Sequence, residues 1–153
     1  MNVLIVEPGL APYEKAINGL SEMQDTVGGL IQAIYPFEEP VAVVCNDEGL
    51  LLNLPFNRSM EGGYGGVFGT FFVCGLGEED FCSLTPEQME GYKKKFHCAE
   101  ILLGARGNEP ITLKVPPKMP SRGKQNGRAA NTPDKTSPAA EGGKSRNIKP
   151  LER

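Results

Sequence analysis

Apolar and polar positions follow two rhythms along this chain. Val3, Leu4, Ile5 and Val6 form an unbroken apolar run closed by Glu7-Pro8-Gly9, which predicts a strand buried on both faces and ended by a turn. From Gly19 to Val27 the spacing changes: Leu20, Met23 and Val27 recur at helical intervals, Asn18 can cap the segment, and Gly28-Gly29 supply a left-handed stop. Leu30 to Tyr35 reads as a strand ended by Pro36. Val41, Val43 and Val44 predict another, joined through a turn at Asn46-Asp47-Glu48-Gly49 to a hairpin partner over Leu50 to Leu54. Val67 to Cys74 supplies one more strand. Thr85 as cap, Pro86 at the first helical position and Gln88 completing a capping box then predict a second helix. Met89, Tyr92 and Phe96 share its apolar face, and Lys93, Lys94 and Lys95 lie largely on the wet side. Ile111 to Val115 carries a weak strand signal. The order β-α-β-β-β-β-α predicts an α+β domain with a small mixed or antiparallel sheet and two short helices.

From Pro116 the pattern stops. Large apolar residues almost vanish, so the chain there cannot offset the entropy of ordering its backbone. The expected organisation is an acidic domain over residues 1–115 and a disordered, basic, Pro/Gly-rich tail over 116–153. Charge divides the same way. Met1 to Leu113 holds 16 acidic and six basic residues, a net charge of −10, whereas Lys114 to Arg153 holds ten basic and three acidic, a net charge of +7. An acidic body with a basic tail is the reading.

The opening MNVLIVEPG has no basic stretch ahead of its apolar run, so no export signal is expected. The longest apolar run, Val67 to Leu76, is broken by glycine and falls far short of the ~20 residues that cross a bilayer. These features predict a soluble cytoplasmic protein with no membrane contact. Cys45, Cys74, Cys82 and Cys98 then read as free thiols, mostly in the core, not as disulfides.

The candidate chemistry narrows on charge and spacing. The stretch EGGYGGVFGTFFVCGLGEEDF, residues 61 to 81, resembles a phosphate loop only in its glycines. It has no GK[ST] ending, lacks the G-x-G-x-x-G spacing, leads into a strand, and has no lysine between Arg58 and Lys93. It reads as a strand with its glycine loops. His97 and the four cysteines show no C-x-x-C knuckle and no paired histidine, so neither a zinc site nor a Cys-His nucleophile is supported. No catalytic residue, cofactor or metal is expected, and the chain is read as a non-enzyme.

The acidic surplus remains. Glu38-Glu39, Asp47-Glu48 and Glu78-Glu79-Asp80 fall at loops and turns, where each pair is merely solvated, but together they set up a field that attracts basic partners. Glu38, Glu39, Glu78, Glu79 and Asp80 are the expected partner-binding residues, with Asn57 and Arg58 beside them. For Arg58 the first reading is a structural ion pair with a carboxylate. The alternative makes Asn57 and Arg58 a polar recognition point at the hairpin end, with Thr70 lining a small-ligand or minor enzymatic pocket. The tail could add weak, nonspecific nucleic-acid contact as a regulator, though it has no aromatic residues for base stacking.

The blocks MNVLIVEPG, VGGLIQAIYPFEEPVAVVCNDEG, LPFNR and GTFFVCGLGEEDFCSLT, with the helix that follows, occur in an order that resembles the bacterial domain of unknown function three-eight-four-six. The resemblance covers residues 1 to about 100. It implies an accessory protein of plasmids, conjugative elements and phages, often encoded beside anti-restriction genes, and brings no catalytic motif. With the charge pattern, it leads to the expectation of an inhibitor of a host defence nuclease, anti-CRISPR or anti-restriction, that binds the nuclease's basic surface.

Overall fold

The computed structural model describes residues 1–120. The chain forms β1 (Asn2–Val6), β2 (Tyr13–Ala16), α1 (Gly19–Val27), β3 (Ile31–Ile34), β4 (Val41–Asn46), β5 (Phe56–Met60), β6 (Gly65–Phe68), β7 (Phe71–Leu76), β8 (Phe81–Cys82), α2 (Pro86–Lys95), β9 (Ala99–Arg106) and β10 (Glu109–Val115). The main sheet runs β2-β1-β7-β4-β3, with β8 paired to β7, and every pairing is antiparallel. The hairpins β5–β6 and β9–β10 form two further sheets.

The unbroken apolar runs become the middle of the main sheet because both of its faces are covered. Leu4, Val6, Val41, Val43, Phe71 and Val73 meet Met89 and Tyr92 of α2, Phe96 just after it, and Met60 and Val67 of the β5–β6 hairpin. On the opposite face Val3, Ile5, Ala42, Val44, Phe72 and Cys74 meet Val27 and Met23 of α1, with Tyr13 and Ile17 beside them. A buried aromatic such as Phe71 contributes several kcal/mol here, and truncating it to alanine costs about 3–5 kcal/mol.

Both helix boundaries follow the expected chemistry. α1 ends at Gly28, which takes a left-handed φ of 80° and donates its N–H to the Gln24 carbonyl at 2.8 Å. Asn18 stands at the N-cap without a side-chain capping bond, and the Glu22 carboxylate instead accepts the Asn18 N–H at 2.8 Å. The capping box of α2 is complete: the Gln88 N–H donates to Thr85 Oγ1 at 3.1 Å, and the Thr85 N–H donates to Gln88 Oε1 at 3.0 Å.

The remaining elements depart from the pattern. Leu50 to Leu54 is not a strand but a run of turns, with Asn53 at a left-handed φ of 58°. Both edges of β4 are already taken by β3 and β7, so no ladder is open to this segment. Its backbone closes on itself instead, Leu52 N–H to Glu48 O at 2.9 Å and Leu54 N–H to Gly49 O at 3.0 Å. The segment Val67 to Cys74 splits at Gly69, whose φ of 90° turns the chain from the β5–β6 hairpin into the main sheet. That φ strains any residue with a side chain, and a Cβ there would also lie 2.6 Å from Leu54 Cδ1 and 3.3 Å from Leu54 Cβ. Strands β2, β5, β8 and β9 lack the alternation that would announce them. The folded body also runs past residue 115. Ala11 N–H donates to Lys118 O at 2.8 Å and Lys118 N–H donates to Gly9 O at 2.9 Å, so residues 116–120 are tied to the β1–β2 loop and are not part of a disordered tail. The expectation for 121–153 lies outside the described residues.

Candidate functional site

The five carboxylates come from two loops that the antiparallel register brings to one end of the main sheet. β4 begins where β7 ends: Val41 stands opposite Gly75, and the Leu76 N–H donates to the Pro40 carbonyl at 2.8 Å. The loop before β4 carries Glu38 and Glu39, and the turn after β7 carries Glu78, Glu79 and Asp80. All five are exposed. The turn is held by Gly77 N–H to Asp80 O at 2.8 Å and by Phe81 N–H to Asp80 Oδ1 at 2.7 Å.

Two aromatic residues fix the first loop to the body. The Phe37 ring packs against Tyr92 with centroids 5.0 Å apart and against Phe96 at 6.2 Å, and the Lys95 ammonium lies 5.3 Å from its centroid. The Tyr92 hydroxyl donates to Glu39 Oε1 at 2.5 Å. Burial, reinforced by that hydrogen bond and the Glu39 charge, holds the Tyr92 phenol well above the usual tyrosine range. The salt bridges among the described residues, Lys93 with Glu14 and Glu90 and Lys95 with Glu61, leave these five carboxylates out. Nor do the described residues include a group of three or more His, Cys, Asp or Glu side chains arranged to hold a metal ion. The arrangement is a solvated negative edge on a rigid sheet.

Asn57 and Arg58 lie elsewhere and do something else. Both are fully buried in β5, so they present no surface to a partner, which corrects the expectation that they form a recognition point. Asn57 Nδ2 donates to the Val6 and Gly69 carbonyls, each at 2.9 Å. The Arg58 guanidinium donates through Nη2 to Leu10 O at 2.7 Å and Phe96 O at 2.9 Å, through Nε to Phe96 O at 3.3 Å, and through Nη1 to Asn57 Oδ1 at 2.8 Å. These partners are carbonyls, not a carboxylate, so the expected ion pair is not what holds it. Burial lowers its pKa from the ordinary arginine value, and the nearby Glu100 charge offsets part of that. The planar fork thus ties the β1–β2 loop and the end of α2 to β5. Thr70 is half-buried next to the Gly69 corner.

The glycine stretch is a turn that feeds strands, as its spacing predicts. Gly66 sits where a Cβ would come 2.5 Å from the Phe56 ring, a close approach within the β5–β6 hairpin and not a cradle for a ligand. The cysteines are all free. Cys45 and Cys74 are core thiols, with burial pushing them up to about 11 and about 12, but Cys82 is exposed and Cys98 half-buried. β8 is a two-residue strand at the sheet margin and covers little, which is why the core expectation fails for Cys82.

Sequence reasoning found the five carboxylates but not their meeting point. That follows from the β4–β7 pairing, which no local pattern announces. Phe37 and Tyr92, which pin the first loop, were legible only as apolar residues. No described helix is long and apolar enough to cross a membrane.

No curated protein and no solved structure matches the chain. The family pattern of the domain of unknown function DUF3846 matches residues 1–97, which takes in β1 through α2, both acidic loops and the Arg58 junction, and stops before the β9–β10 hairpin. The chain belongs to the DUF3846 family.

Proposed function

We propose that this chain is a non-catalytic interaction protein that engages a basic protein surface through the acidic end of its sheet. In this reading it works in the cytoplasm for a mobile genetic element and inhibits a host defence nuclease, of the restriction or CRISPR class, by occupying the groove that would hold nucleic acid. The observation that carries the reading is the convergence of Glu38, Glu39, Glu78, Glu79 and Asp80 from two loops onto one solvated edge. Charge spread over a surface is ordinary; charge gathered by register at one end steers encounter with a positive partner. The two buried thiols support the non-catalytic side of the reading, since raised pKa values suppress the thiolate that nucleophilic chemistry needs.

The test replaces Glu38, Glu39, Glu78 and Glu79 by glutamine and Asp80 by asparagine in the full chain. The intact chain should co-purify with such a nuclease at 50 mM salt and slow its cleavage, and the five-fold variant should do neither. Unimpeded cleavage with the intact chain in excess, across restriction and CRISPR nucleases of a host, would end this reading.

A further inference from the structure

A second surface has the opposite character. The β9–β10 hairpin turns an apolar face outward, with Ile101 49%, Leu103 63%, Ile111 45% and Leu113 52% exposed. The register assigns the sides. Ile101 stands opposite Leu113, Gly104 opposite Ile111 and Arg106 opposite Glu109, and Ile111 is two residues from both Glu109 and Leu113, so these positions share one face. The ladder shifts between Ile111 and Thr112, leaving Leu103 as the extra residue of a bulge. The other side holds more polar residues against the body: the Glu100 carboxylate accepts from the Ser59 N–H at 3.0 Å and from Ser59 Oγ at 2.8 Å. Beyond the buried Ala99 at its base, the hairpin therefore turns its more apolar side outward, with Leu102 of the other side also 39% exposed.

Charge indicates what covers this face. From Ala99 to Val115 the hairpin carries Glu100, Arg106, Glu109 and Lys114 and is neutral. The rest of residues 1–120 carries 14 acidic and six basic side chains. That remainder has a net charge of −8, so two copies of this body approach at least electrostatic cost through the neutral hairpin, and a strongly basic partner is drawn to the acidic end instead. An outward face with one Arg106–Glu109 pair at its tip is self-complementary about a two-fold axis, each arginine meeting the other copy's glutamate.

We propose that the outward face of the β9–β10 hairpin is the contact between two copies of this chain. Each face is about 25 Å long and 10 Å wide, so the pair buries less than the ~1,600 Å² of a standard interface. The dimer is therefore weak, forming at micromolar concentrations or above. It leaves the acidic ends free and does not depend on the reading given above for them.

Sedimentation velocity of the full chain from about 5 to 500 µM tests it, at 50 and 500 mM salt, where screening falls from roughly 14 to 4 Å. A monomer–dimer equilibrium should appear and strengthen at least several-fold at the higher salt, because screening removes repulsion while the apolar contact stays. Leu103→Glu should return the chain to monomer with an unchanged circular dichroism spectrum. Should that variant misfold, amide chemical shifts of the unaltered chain on dilution give the same answer, and movement should centre on Ile101 to Leu113. A chain that is monomeric throughout overturns the proposal. So does a dimer that weakens with salt, survives Leu103→Glu, or moves amides only outside the hairpin.

Discussion

The acidic end and the Arg58 junction place charge in opposite ways. At the acidic end five carboxylates are exposed and outside every salt bridge among the described residues, and only Glu39 and Asp80 accept a hydrogen bond, from the Tyr92 hydroxyl and the Phe81 N–H. At the junction one guanidinium has no exposed surface, and its donors are taken up by the carbonyls of Leu10 and Phe96 and the side chain of Asn57. Exposed charge costs little to keep and little to remove. Buried charge costs several kcal/mol in desolvation and is kept only where its hydrogen bonds are complete. The difference separates a group held for stability from groups available for contact.

The largest expected effect is at the junction. Arg58→Ala leaves two buried carbonyls and Asn57 without their donor, and should lower unfolding free energy by about 3–5 kcal/mol in urea titration. Arg58→Lys should recover less than half of that, because an ammonium cannot reproduce the flat fork. Loss of a partner's binding with stability unchanged in Arg58→Ala would reverse the comparison.

Alkaline pH should act next. Cys45 and Cys74 have folded pKa values raised from 9.0 to about 11 and about 12, so their protonated forms are favoured by the fold. Their contribution is fully present below pH 9 and is lost as pH rises through the folded values. The unfolding free energy from urea titration should therefore fall between pH 9 and 11, by roughly 2 kcal/mol or more. Cys74→Ala should flatten that fall. At pH 8 a thiol reagent should modify Cys82 first and reach Cys45 and Cys74 only on unfolding.

Tyr92→Phe, which removes the hydroxyl that holds Glu39, should cost about 1 kcal/mol or less. Its test is the temperature midpoint. The smallest effect should come from neutralising the five carboxylates, within about 0.5 kcal/mol of the unaltered chain. The substituted amide oxygens can still accept from the Tyr92 hydroxyl and the Phe81 N–H, and the other three make no such bond. A drop of several kcal/mol would mean that the acidic end is structural after all.

What the sequence discloses follows the same divide between local and distant causes. The capping box at Thr85-Gln88, the Gly28 stop and the apolar run Val3 to Val6 are written within a few residues, and the fold class with its central strands follows from them. Leu50 to Leu54 has the composition of a strand, yet β3 and β7 occupy the edges it would need, which only the long-range pairing decides. β9 was invisible because its apolar residues are unbroken and face water, against the usual alternation. The carboxylates could be picked out by charge, but Arg58 could not be placed. In sequence an isolated arginine among acidic residues suggests an ion pair, and the carbonyls it binds carry no sequence signal at all.

Binding of the full chain to a purified restriction or CRISPR nuclease, measured side by side with the five-fold neutralised variant at 50 and 500 mM salt, bears most directly on the central claim. The account expects a complex at low salt that weakens at least ten-fold at high salt and is lost in a variant that remains as stable as the unaltered chain. Equal affinity for the two chains at 50 mM salt would contradict it.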